Sequence, residues 1–374
     1  MKLSPRRAWS AYWIAIATLV CAFQARAEAD KVTLVKNKEV ISGRITKDDR
    51  DGLEIDMRGG AKRTVNSSEI ADVEWDVSDE NFHDAVGAFR SGAYVRAASS
   101  LESLIKDKES LDRVRPLARP YLYYLYAESK YRSGKAADAM AAYQDLITKF
   151  PNSRYVPAAL SNMCASAIQS RNFDKLPALL KLLADGGPEQ KQLADYYEGE
   201  AALAQNKPAD ALRKYANAAV GGVQKVKAMA LVGQARAYAA TNEPAKSREA
   251  AQAALALNPP EGMAALAHTL IGDAIVADAD AKKLTGSQLQ DALLDAVLEY
   301  MRVQTQYPAD AQTEGDALLK SGECFMRLAK LPTRSGSDDR ERALALFNRI
   351  GSERKFATNQ DLLNKAAKHL EEMK

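Results

Sequence analysis

A small residue followed four positions later by a larger one recurs between residues 85 and 350. The pairs are Ala97/Leu101, Ala139/Tyr143, Ala211/Tyr215, Ala296/Tyr300 and Ala343/Phe347, with looser copies at Pro177/Lys181 and Ser247/Ala251. Four residues is just over one turn of α-helix, so both members of a pair face the same neighbour. Helices packed about 8–10 Å apart need a small side chain at the crossing and a large one filling the adjacent gap. Pro151, Pro259 and Pro308 each fall twelve residues after a small member and mark helix ends. Spaced 34 to 49 residues apart, the small members predict a mainly α protein of about seven stacked helical hairpins.

Residues 31–76 differ in kind from this array. Val32–Val35, Glu39–Ile45, Leu53–Met57, Arg63–Val65 and Ile70–Trp75 read as strands, and Leu53, Ile55 and Met57 alternate along one face. Asn37-Lys38, Asp51-Gly52 and Gly59-Gly60 supply the turns. Five short strands in this length predict a small five-stranded, β-barrel-like module. Val35-Lys36-Asn37, then Gly43 and Ile45, resembles the opening strands of Sm-like domains. Arg58, Lys62 and Arg63 are read as a solvated turn.

From residue 79 to 374 the period becomes helical. Ser91-Gly92, Ser133-Gly134-Lys135, Arg171-Asn172, Asn206-Lys207-Pro208 and Asn242-Glu243-Pro244 break the pattern inside hairpins. The stretch Tyr126-Ala127-Glu128 through Gly134, with Ala139, Tyr143 and Phe150-Pro151, resembles the tetratricopeptide-repeat family. Ala235, Tyr238, Asn242, Ala251, Ala254 and Pro259 form a second copy; Gly322, Phe325, Ala343 and Phe347 form a third. The resemblance implies an α-solenoid whose first helices line a groove. Polar insertions are expected at 277–287 and 330–340, and an amphipathic closing helix over 359–373, with Leu362, Leu363, Ala366 and Leu370 inward.

Residues 1–27 read as a secretory signal: Lys2, Arg6 and Arg7, an apolar run from Trp9 to Phe23, then Ala25-Arg26-Ala27. The expected location is periplasmic or otherwise exported, with no integral span once the segment is removed. The net charge of +3 then becomes −1, with 48 basic residues against 49 acidic ones. A near-neutral chain lacks the field that draws nucleic acid. Cys164 and Cys324 lie in different hairpins and are expected as buried thiols rather than a disulfide.

Nothing in the sequence marks a reaction centre. His83, His268 and His369 are widely separated, and no pair has helical metal-site spacing. Asp338-Asp339 and Glu371-Glu372 are expected on solvated surfaces. No enzyme activity, cofactor or metal is therefore expected.

A tyrosine stripe on one helix marks the candidate contact surface: Tyr121, Tyr124, Glu128 and Tyr131 fall at i, i+3, i+7 and i+10. Carrying the family's groove positions along the chain adds Asn162, Ser166 and Gln169, then Tyr196 and Glu200, then Arg236. The same tyrosines also fit core packing. Complete burial of Tyr121, Tyr124 and Tyr131 by the chain itself would remove them as a contact surface. The leading reading is an exported scaffold holding a peptide or an envelope protein, similar to bacterial envelope proteins of this family that assist envelope assembly or division. Phe150-Pro151-Asn152-Ser153 and Tyr307-Pro308-Ala309-Asp310 resemble hairpin ends found there. The alternatives are a homo-oligomer assembled through the β module and a cell-wall glycan binder.

Overall fold

A computed structural model describes residues 29–307, 311–334 and 338–373. The signal segment expected at 1–27 lies outside the described residues, as do Pro308–Asp310 and Ser335–Ser337.

Five strands form at the start: β1 (Asp30–Leu34), β2 (Val40–Asp48), β3 (Gly52–Met57), β4 (Lys62–Asn66) and β5 (Ile70–Glu74). All pairings are antiparallel, in the order β4-β3-β2-β1-β5. β4 and β5 lie at opposite ends of this order, yet a three-residue turn, Ser67–Glu69, joins them. In a flat sheet four strand spacings come to ~19 Å. The linking residues reach ~14 Å even when extended, so the sheet must curl. Its inner face buries Val32, Ile41, Ile45, Leu53, Ile55, Val65 and Val73.

The α-helices follow as seven pairs and a closing helix. They are α1 (Glu80–Arg90) with α2 (Tyr94–Lys106), a short α3 (Lys108–Arg113), α4 (Arg119–Arg132) with α5 (Ala136–Lys149), and α6 (Val156–Gln169) with α7 (Leu176–Ala184). Next come α8 (Pro188–Ala204) with α9 (Pro208–Val220), and α10 (Gln224–Ala240) with α11 (Pro244–Leu255). Last are α12 (Glu261–Ala281) with α13 (Gly286–Gln306), α14 (Ala311–Leu328) with α15 (Asp339–Ser352), and α16 (Gln360–Glu372). The chain divides into two compact units, ending at Ala159 and beginning at Leu160.

Six first helices end in the same way. Gly92, Gly134, Arg171, Asn206, Asn242 and Lys283 take positive φ. The amide after each donates to the carbonyl five residues back: Ala93 to Ala88, Lys135 to Lys130, Asn172 to Ala167, Lys207 to Ala202, Glu243 to Tyr238 and Leu284 to Ala279. This left-handed cap satisfies the last carbonyls and turns the chain into the second helix. The breakers read from the sequence are these caps.

Both members of all five strong small/large pairs are buried, as are Ser247 and Ala251. The looser Pro177/Lys181 pair is corrected: both side chains are exposed, and α7 turns Leu176, Leu179 and Leu183 inward instead. The insertion expected from residue 277 is also corrected. Residues 277–281 complete α12, so two long helices absorb the extra length in place of a loop. Although α12 is long and apolar enough to cross a bilayer by composition, it packs between α11 and α13 with a buried alanine-rich face. Asp339 is corrected too. It is completely buried, and both its oxygens accept from Arg334 at 2.7 Å, leaving only Asp338 on the surface.

In the first unit, arginines on the helical side bind acids of the sheet. Arg90 reaches Asp72 and Glu74, Arg115 grips Asp30, and Arg154 pairs with Asp48 at 3.0 Å. Burial pushes the Asp48 carboxyl up to about 6, although the Arg154 guanidinium pulls it down. A folded-state value above the unfolded one means that folding favours the protonated acid. The stability Asp48 contributes is thus complete below about pH 4 and disappears as pH rises through about 6. Asp48→Asn should remove this dependence, worth ~2–3 kcal/mol. Urea unfolding at about pH 4.5 and 7.5, followed by Trp75 fluorescence, measures it. An unchanged difference between the two pH values would show that Asp48 does not titrate there.

Candidate functional site

The tyrosine stripe on α4 is mostly packed by the chain itself. Tyr121 is only 8% exposed and lies beside Tyr155, with ring centroids 5.7 Å apart. Tyr124 stacks on Tyr155 at 5.0 Å and keeps part of its surface, as does Tyr131. Burial raises all three phenols above the usual tyrosine range, so they remain protonated donors. Glu128 is 5% exposed and accepts from Tyr143 Oη at 2.5 Å and Arg132 Nε at 2.7 Å. Tyr121 and Glu128 are therefore corrected from contact residues to packing residues, while Tyr124 and Tyr131 retain access.

The second unit gives a similar division. Ser166 and Tyr196 are buried, Tyr196 against Tyr197 and Tyr215, and neither can meet a partner. Asn162 is half-buried and Gln169 is exposed. Glu200 and Arg236 come together: Arg236 Nη1 donates to both carboxylate oxygens at 2.8 and 2.9 Å, and Tyr215 Oη donates at 2.5 Å. Burial and the Glu200 charge lift the Tyr215 phenol far above its ordinary value.

This arrangement repeats, and sequence reading missed it. An acid follows a small residue in four first helices: Ala127-Glu128, Gly199-Glu200, Gly272-Asp273 and Gly322-Glu323. The large residue of the paired second helix supplies a hydroxyl to three of the acids: Tyr143 to Glu128, Tyr215 to Glu200 and Tyr300 to Asp273. Phe347 has none to offer, and His369, stacked on Phe347 at 5.0 Å, bonds Glu323 at 3.1 Å. Each glycine permits the ring to approach: an added Cβ would lie 2.6 Å from Tyr215 at Gly199, and 2.5 Å from Tyr300 and Phe347 at Gly272 and Gly322. The small–acid dipeptides, set beside tyrosine as the large residue, were the available signal.

Cations from neighbouring first helices complete the ladder. Besides Arg236 to Glu200, Lys320 on α14 reaches Asp273 on α12 at 2.6 Å, and Arg327 reaches Asp280. Within the second unit, α8, α10, α12, α14 and α16 lie side by side, while the second helices stand further apart from one another. The first-helix layer is thus the tighter, inner one, and the acid ladder runs along it.

Cys164 and Cys324 are free and buried, and burial pushes both thiols up to about 12, well away from reactive thiolates. His268 bonds Glu299 at 2.7 Å and stacks on Tyr307; His83 bonds the Val77 carbonyl at 2.6 Å. Among the described residues no group of three or more His, Cys, Asp or Glu side chains is arranged to hold a metal ion.

Residues 121–153, from α4 through α5 to the following turn, match the family model of the tetratricopeptide repeat. Among solved structures, the chain is similar to a tetratricopeptide repeat protein from Parabacteroides merdae, with 14% identity and a TM-score of 0.47, covering 77% of this chain and 98% of that one. It is similar to PilW, described as a widely conserved type IV pilus biogenesis factor, with 13% identity and a TM-score of 0.44, covering 66% and 99%. A third likeness is to the human IFIT1 dimer with PPP-AAAA, with 15% identity and a TM-score of 0.49, covering 75% and 62%. No curated protein matches the sequence.

Proposed function

We propose that this chain is an exported, non-enzymatic scaffold of the cell envelope that holds a segment of a partner protein along the inner layer of its first helices. Proteins built from tetratricopeptide repeats act in general as protein-binding scaffolds. The observation that carries the reading is the inner layer of the second unit. There Leu193, Tyr197, Leu203, Met229 and Val276 are partly exposed on neighbouring first helices, around the ordered Glu200–Arg236 pair. Side chains already fixed by packing lose little freedom when a partner covers them. The apolar start of residues 1–27 supports export, and the near-neutral remainder argues against nucleic acid as the partner.

Site-specific photo-crosslinking in cells tests the proposal. A photoreactive residue in place of Tyr197 or Met229 should capture the same protein repeatedly. One in place of Arg213, exposed on second helix α9, should not. Equal capture from both faces would remove the inner layer as the site.

A further inference from the structure

We infer that the segment held by this layer is an uncharged stretch of polyproline-II-like chain with an apolar side chain at every third position. The inference rests on the scaffold reading above and specifies its ligand.

The Glu200–Arg236 pair fixes the register between α8 and α10, placing residues 36 apart level with one another. Gly272-Asp273 occupies the corresponding place on α12, where Ala235-Arg236 stands on α10. Two apolar rows then flank the charged one. Leu193, Met229 and Leu266 lie seven residues before it, and Leu203, Ala239 and Val276 lie three residues after it. All six keep surface exposed. Offsets of seven and three return to the same helix face as the central row.

Charge determines the kind of segment. The central row carries Glu200, Arg236 and Asp273, but Glu200 and Arg236 neutralise each other, and Lys320 neutralises Asp273. A carboxylate or a basic side chain on the ligand would have to break one of these pairs. Apolar side chains meet no such cost on the flanking rows.

Spacing determines its conformation. Packed helices lie about 8–10 Å apart. A polyproline II chain returns the same face every three residues, or ~9.3 Å, so one side chain in three meets each successive helix. A β-strand returns a side chain to one face every ~6.7 Å and drifts out of step after a single helix. Tyr197, one turn from Leu193, adds an aromatic ring of the kind on which proline rings pack.

Fluorescence anisotropy with capped peptides of about twelve residues tests this on the purified chain. The probes are a Pro-Pro-Leu repeat, an isomer of identical composition with leucines at alternate positions, and a Pro-Pro-Asp repeat. The first should bind at least about tenfold more tightly than either of the others, with little change as salt is raised. Met229→Glu should weaken it by about tenfold or more; because Met229 also packs on the core of its unit, Ala239→Glu at the exposed end of the other apolar row should do the same without altering the melting curve. Leu193→Gln should act in the same direction. Equal or tighter binding of the isomer or the aspartate peptide overturns the inference, and so does absence of binding by all three. If crosslinking from Tyr197 still captures its protein in those cases, the inference fails while the scaffold reading stands. Loss of face-selective capture removes the scaffold reading itself.

Discussion

Replacing Tyr215 by alanine is expected to destabilise the second unit by about 3–5 kcal/mol, the range for emptying a buried aromatic site. The ring is completely buried and wedged between two helices. At both contacts the neighbour is glycine: an added Cβ would stand 2.6 Å from the ring at Gly199 and 2.4 Å at Gly233. With no side chain at either point to swing into the space, the cavity cannot collapse cheaply. Tyr215→Phe keeps the wedge and loses only the hydroxyl bond to Glu200, a cost of ~1–2 kcal/mol. Gly233→Ala approaches the same locus from the other side and should cost ~1–3 kcal/mol through overpacking. Urea unfolding followed by circular dichroism ranks the three. Trp75 lies in the first unit, so its fluorescence follows that unit rather than the emptied site. A cost for Tyr215→Ala no greater than for Tyr215→Phe would show that the ring does not hold α8, α9 and α10 together.

The small/large rule located this wedge from sequence because close helix packing leaves few alternatives to alanine or glycine at a crossing. Strand boundaries were legible for a similar reason: alternation and glycine turns coincide, and β2 and β3 fall within a few residues of their expected limits. Failures arose where one residue type serves two physical ends. Tyr121 and Tyr196 lie at helical spacing that suits a groove and a core equally, and only three-dimensional packing separates the two. Glu128 falls seven residues after Tyr121, and that spacing alone places it on the contact stripe. Its burial depends on Tyr143, fifteen residues away on the partner helix. Asp339 shows the same effect through Arg334. Pro177/Lys181 kept the right spacing with the wrong residue types, since leucines at neighbouring positions of α7 outcompete them for the core.

Arg115→Ala should destabilise the first unit by about 3–5 kcal/mol, because it strands a buried charge. Asp30 is fully enclosed; its oxygens accept from the amides of Ile45 at 2.7 Å and Asp76 at 2.8 Å. Arg115 Nη1 meets both oxygens at 2.8 and 2.7 Å, while Nη2 donates to the Ile45 carbonyl at 2.9 Å. One guanidinium thereby ties β1 to β2 and, over the Trp75 ring at 5.8 Å, to the end of the sheet. Removing it leaves a carboxylate with two amide donors and no counter-charge. Arg115→Lys restores the charge but not the planar fork, so it should recover only part of the loss. Asp30→Asn in the Arg115→Ala background removes the stranded charge and should also recover part, giving a coupling energy of ~1–3 kcal/mol in a double-mutant cycle. In the chain lacking residues 1–27, Trp75 is the single tryptophan, so its emission during urea unfolding reports this unit alone. Additive losses in the cycle would show that Asp30 and Arg115 stabilise the sheet independently, and that the fork between them is not what closes it.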